Sequence, residues 1–131
     1  MFNTIKTSLD NRGLVSDLTR RLNLGPENVI ARLAFAFSIS EGNQMDLAQM
    51  KDSKGKEYSK SVLFGTNLPV YVALVCQHYD IYKTDRDIPK YIKMHIDDGL
   101  ELIAKEVREN PNITGMDLII NKVEQGFIFM E

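Results

Sequence analysis

One cysteine, Cys76, stands among the 131 residues of this chain, which excludes an internal disulfide and fits a reducing compartment. Long hydrophobic runs are missing too. The longest, "PVYVALVC", is less than half of the roughly 20 residues that a membrane span needs. The N-terminal "MFNTIKTSLDN" lacks the apolar centre of a signal peptide, so the expected location is the cytoplasm, away from any membrane. No Walker loop, GxGxxG, HExxH or GxSxG occurs, nor any internal repeat or low-complexity tract. The expectation is a non-catalytic protein with no cofactor and no metal.

A strong excess of either charge is also absent, with 16 Lys and Arg against 18 Asp and Glu and a formal net charge of −2. The distribution is nevertheless uneven. Residues 1–60 carry nine basic and seven acidic side chains, residues 61–131 seven basic and eleven acidic. A phosphate-facing surface is therefore permitted at one end of the molecule. At 44% hydrophobic and 26% charged the chain is globular, long enough for one core and too short for two ordinary domains.

What is present is mostly helical patterning. "FNTIKTS" reads as a short strand, and Ser8 or Asp10 then caps a first helix to about Asn23 with Leu14, Leu18 and Leu22 as its stripe. Gly25 ends it and Pro26 opens a second helix that is apolar almost all round, with Val29, Ile30, Leu33 and Phe37 on one face and Phe35 and Ile39 beside Arg32 on the other. Residues 41–60 are polar and read as a loop or the tip of a hairpin. Asn67 and Pro69 start a third helix to about Tyr82, apolar on most sides and so expected at the centre. The fourth, from Ile88 through Ile92, Ile96, Leu100, Ile103 and Val107 to "NPN", has the clearest amphipathic repeat. Gly99 inside its stripe points to a second backbone close by. Thr114 and Asp117 cap a short C-terminal segment, and "GFIFME" is an apolar tail that docks or pairs as a strand. The fold class expected is mainly α: one compact bundle of four to five helices with a short N-terminal strand and a small hairpin or loop at 50–64.

Few residues suggest chemistry. Cys76 and His78, two apart on a helix, point about 200° away from each other, so a nucleophile and base do not meet. His95 and Asp98 could give two metal ligands, yet no further ligand has zinc spacing, and a packed histidine is the commoner reading. Asp97, Asp98 and Glu101 read as the solvated face of a helix. The basic residues weigh more: Lys6, Arg20 and Arg21 on the strand and first helix, and Lys51, Lys54, Lys56 and Lys60 in the polar loop, are of the kind that contacts phosphates without reading sequence.

The run "SLDNRGLVSDLTRRLNLGPENVIARLAFAFSIS", the basic "KDSKGKEYSKSVLFG" and the later "YIKMHIDDGLELI" resemble the DndE family of DNA sulfur modification proteins over roughly residues 4–105, with 110–131 as an extension. The resemblance implies a small helical subunit of the machinery that replaces a non-bridging phosphate oxygen of DNA with sulfur. It further implies a homotetramer that accompanies sulfurtransferase-like and ATPase components and binds duplex or nicked DNA through surface lysines. Arg20 and Arg21 match a basic stretch of the family and Lys51, Lys54 and Lys56 fall in the matching loop. In such a tetramer Arg32, Phe35, Ile39 and Gly99 are the expected interface, with Arg32 paired to a carboxylate across it or within the subunit. Two other readings stand beside it. "FNTIKTS" and two helices have the outline of a ribbon-helix-helix regulator, with Thr4 and Lys6 facing bases. A nicking enzyme or sulfur carrier would use Cys76.

Overall fold

The structure, a computed structural model, describes residues 2–130, and their side chains through Gly126. The elements are β1 (Thr4–Lys6), α1 (Asp10–Leu22), α2 (Glu27–Ser40), β2 (Glu57–Ser59), α3 (Lys60–Phe64), α4 (Leu68–Tyr79), α5 (Ile88–Glu109) and α6 (Gly115–Met130). This is the mainly helical bundle that the pattern predicts, with the five-residue α3 as an addition.

α1 ends where Asn23 takes a left-handed conformation (φ 53°), Gly25 follows at φ 135°, and Pro26 leads extended into α2. Its buried stripe is Asn11, Val15, Leu18 and Leu22, with the expected Leu14 only half-buried. Neither Ser8 nor Asp10 caps it with a side chain. Instead two distant carboxylates fix the backbone just before it: Asp97 Oδ1 accepts from Ser8 N–H (3.1 Å) and Asp52 Oδ1 from Leu9 N–H (3.0 Å).

α2 is the centre of the molecule. α5 crosses one side of it, while α1 and α3 cover others, so Ile30, Ala31, Ala34, Phe35, Phe37 and Ser38 are all buried within one subunit. The contact with α5 is backbone to side-chain-free backbone: a Cβ placed on Gly99 would lie 1.7 Å from the Ala34 carbonyl oxygen. Of the four residues expected at an oligomer interface, Phe35 and Gly99 are buried inside the subunit, while Arg32 and Ile39 are half-buried. Phe35 is fully buried and meets Phe64 and Tyr71 edge to face, Gly99 rests on Ala34 of its own chain, and Ile39 packs half-buried against the same core. Arg32 has no carboxylate within 4 Å among the described residues; its Nη1 donates to the Leu63 carbonyl at 2.9 Å and more weakly to that of Val62. Those are end carbonyls of α3, which the guanidinium caps. The reason is that α3 folds back over α2 and takes the face that a neighbour was expected to cover.

α4 is displaced in the opposite sense. The predicted central helix lies at the edge and buries only Val72 and Val75, ending at Tyr79 where Asp80 turns left-handed (φ 55°). Val70 on its outer face and Val62 of α3 are each 57% exposed, and Leu74 36%. α5 carries the expected stripe, Ile88, Ile92, Ile96, Leu100 and Ile103, and also buries Lys93, His95 and Asp97. At the start of α6 the Thr114 hydroxyl accepts from Asp117 N–H (3.0 Å) and the Asp117 carboxylate from Thr114 N–H (3.1 Å), the reciprocal cap that the sequence predicts. Leu118 anchors this helix; the tail expected to dock or pair as a strand continues it to Met130, and Glu131 lies outside the described residues.

Candidate nucleic-acid interface

The polar segment 41–56 does not turn back as a local hairpin. It leads into β2, which pairs antiparallel with β1 in the register Thr4↔Ser59, Ile5↔Tyr58 and Lys6↔Glu57. Alternation puts Ile5 and Tyr58 into the core and Thr4, Lys6 and Glu57 outside. This overturns the ribbon-helix-helix outline, since β1 takes its partner from the same chain. Further backbone bonds extend the ribbon: Thr7 N–H to the Lys56 carbonyl, Gly55 N–H to the Thr7 carbonyl and Lys60 N–H to the Asn3 carbonyl, each 2.9 Å. They gather Lys6, Lys54, Lys56 and Lys60 around one short ribbon.

A buried network holds that loop in place. Lys93 Nζ donates to Asp97 Oδ2 (2.8 Å) and to the Asp52 carbonyl (2.7 Å), while Asn11 Nδ2 donates to Asp97 Oδ1 (2.8 Å). Asp52 Oδ1 also accepts from Lys54 N–H, and the two backbone donors of Leu9 and Lys54 hold its carboxyl below the usual carboxylate range. Gly55 packs so tightly that a Cβ there would stand 2.1 Å from the Ser8 carbonyl oxygen. The loop is thus presented by the core rather than left to wander.

The seven candidate cations do not form one patch. Arg20 and Arg21 sit at the far end of α1, about 20 Å from the ribbon along a 13-residue helix. Arg20 is paired with Asp17, and Arg21 donates to the Pro111 carbonyl. Lys51 is tied to Glu101, whose hydrogen bond raises the lysine's pKa above its ordinary value, and Lys56 lies 3.2 Å from Glu27. Lys6, Lys54 and Lys60 have no such carboxylate among the described residues.

Cys76 is half-buried against the core, and no hydrogen bond joins it to a base among the described residues; His78 Nε2 pairs with the Asn43 carbonyl (2.7 Å). His95 and Asp98 meet through a residue that sequence reasoning missed. Met45 N–H donates to the Tyr79 hydroxyl, which donates to His95 Nε2 (2.5 Å); Nδ1–H donates to Ser38 Oγ (2.6 Å), whose proton goes to Asp98 Oδ2 (2.7 Å). Every donor in this chain finds one acceptor when the imidazole is neutral. No local signal marks Ser38, which reaches His95 only because α2 lies on α5.

Burial, aided by neighbouring His78, lowers the His95 pKa to about 4. The unfolded chain takes up this proton near pH 6.5 and the folded one only near 4, so stability is intact above 6.5 and falls as pH drops between those values. The expected loss is about 3 kcal/mol. Urea unfolding at pH 7 and pH 4.5 checks it, with His95→Gln expected to flatten the pH dependence; an equally steep profile in the variant would assign the effect elsewhere.

Fold and site together define a small helical bundle whose exposed polar feature is a lysine-bearing ribbon. The model of the DNA sulphur modification protein DndE family matches residues 4–110, and the chain belongs to that family. Among solved structures it resembles DndE from Escherichia coli B7A, involved in DNA phosphorothioation modification, with 18% identity, a TM-score of 0.63, and 79% of this chain and 98% of that one covered. A DndE mutant involved in DNA phosphorothioation matches at 19% identity and a TM-score of 0.65 over the same shares. No curated protein matches. α6 begins after the family match ends.

Proposed function

We propose that this protein is an accessory, DNA-contacting subunit of the phosphorothioation machinery that grips the backbone of duplex or nicked DNA and leaves chemistry to sulfurtransferase-like and ATPase partners. The observation that carries the reading, beside family membership, is the ribbon: Lys6, Lys54 and Lys60 stand around it without carboxylate partners among the described residues, and Lys54 lies on the loop that Asp52 and Lys93 fix. Held cations lose less entropy on meeting a phosphate than mobile ones. Lys51, Lys56, Arg20 and Arg21 would join only by giving up their present partners.

Self-association into a homotetramer is part of the proposal, with its surface moved from α2 to the outer face of α3 and α4. Residues 61–79 hold no charged side chain, and Val62, Val70 and Leu74 are exposed there. A neutral apolar centre is the composition of protein interfaces.

The test is binding to intact and nicked duplexes of two unrelated sequences across a salt series, with the mass in solution measured alongside. Sequence-independent binding that weakens steeply with salt, at four times the 14.9 kDa chain mass, is expected. Reversing Lys6, Lys54 and Lys60 to glutamate should weaken it by about tenfold or more and reduce the salt slope. Reversal at Arg20 and Arg21 with equal effect would move the interface to the other end of α1.

A further inference from the structure

We propose that the cavity under the connection between α4 and α5 is a nucleotide pocket, which takes one unpaired base of a DNA strand and sets its phosphate on Lys83 and Arg86. The inference rests on the DNA-contacting reading and adds a site to it.

The cavity measures about 540 Å³, within the usual range for small-molecule sites. Its apolar wall is Phe2, Ile88 and Pro89, and Lys83 and Arg86 stand among its lining residues. An aromatic ring and aliphatic surface beside paired cations suit a flat base with an anionic tail better than they suit a bare anion or a bare hydrocarbon.

The cations are available. Neither Lys83 nor Arg86 has a carboxylate within 4 Å among the described residues. Of the acidic residues nearby, Asp87 pairs with Lys90 at 3.3 Å, and Asp85 uses Oδ1 to accept from Asp87 N–H at 2.8 Å. Asp85 also lines the cavity. Its Oδ2 is an acceptor for the exocyclic amino group of a base, as carboxylates are for the amino group of cytosine.

Tyr82 supplies the second half of the argument. It is 86% exposed, more than any other large apolar side chain described, and precedes Lys83 directly. Its carbonyl accepts from Asp85 N–H (3.0 Å), so the turn is fixed and the ring is displayed outside it. Such a ring is a stacking platform for the base next to one held in the cavity.

The cavity also adjoins the ribbon. Phe2 lies two residues before β1, and the intervening Asn3 accepts from Lys60 N–H. The Lys60 end of the ribbon is therefore the end nearest the cavity. Bases inside an intact duplex stay paired and stacked, so only a strand with an unpaired nucleotide fills it.

The chain contains no tryptophan, so Tyr82→Trp places a single exposed indole directly before the lining residue Lys83. The probes are a single strand of twelve nucleotides, a duplex with a one-nucleotide gap, the fully paired duplex and deoxycytidine monophosphate. Saturable quenching of the indole by the single strand and the gapped duplex, but not by the paired duplex, is expected, with at least tenfold weaker binding when Arg86→Glu is added. Equal quenching by the paired duplex, or none by any strand while wild-type protein still binds duplex in a Lys6-dependent manner, overturns the pocket and leaves the DNA-contacting reading standing. Wild-type protein that binds no DNA at low salt removes that reading itself. Quenching by the mononucleotide alone assigns the cavity to a free nucleotide and overturns the DNA assignment.

Discussion

Replacing Gly99 by alanine is expected to lower the stability by more than about 4 kcal/mol, or to prevent folding. The added methyl would stand 1.7 Å from the carbonyl oxygen of Ala34, with the backbone carbon and Cα of Ala34 at 2.3 and 2.7 Å. No rotamer relieves a clash with backbone. The only remedy is to part α2 from α5, which opens the core around Ile30, Phe35, Ile92 and Ile96 and breaks the bonds from Ser38 to His95 and Asp98. Gly13→Ala is the matched control. That glycine lies exposed in the middle of α1 with nothing within 4 Å of its virtual Cβ, and alanine there should stabilise by up to about 1 kcal/mol through helix propensity. Urea unfolding of both variants decides the matter. A Gly99→Ala protein within about 1 kcal/mol of wild type would mean that the two helices lie farther apart than this contact requires.

Lys93→Ala carries the second large effect, a loss of about 3–5 kcal/mol. The lysine and Asp97 are paired one turn apart on α5, with side chains 6% and 5% exposed. Truncation leaves the carboxylate buried against Ser8 N–H and Asn11 Nδ2 without its cation, and leaves the Asp52 carbonyl without a donor. Asp97→Ala strips the same centre from the other side and leaves Ser8 N–H, Asn11 Nδ2 and the Lys93 ammonium without their acceptor. Because both changes break one network, the double variant should lose clearly less than the two single losses added together. Additive losses would show two independent contacts instead. The proposed site should respond too: with Asp52 released, the proposed DNA contact through Lys54 is expected to weaken although the lost charge was buried.

Punctuation and period were legible along the chain because both act over three or four residues. Gly25 and Pro26 separate α1 from α2, Pro69 and Pro89 sit in the first turns of α4 and α5, and Thr114 with Asp117 caps α6. The stripe of α5 buried as its spacing predicts, and Gly99 announced a close backbone before the partner was known. The sequence also supplied the resemblance that the family match over 4–110 shows to be membership.

Choice of partner was decided only by the tertiary structure. An apolar face does not say what covers it, so α2, apolar all round, and α4, apolar on most sides, looked alike as strings. Packing gave α2 its cover from α3 and α5 and left the face of α4 open. The carboxylates that hold the backbone leading into α1 come from 43 and 89 residues away, and Ser38 meets His95 across 57. Which lysines stay free around the ribbon depends on Glu27 and Glu101 reaching Lys56 and Lys51. Hydrogen bonds and ion pairs act at about 3 Å whatever the separation along the chain, so those choices exist only once the helices are stacked.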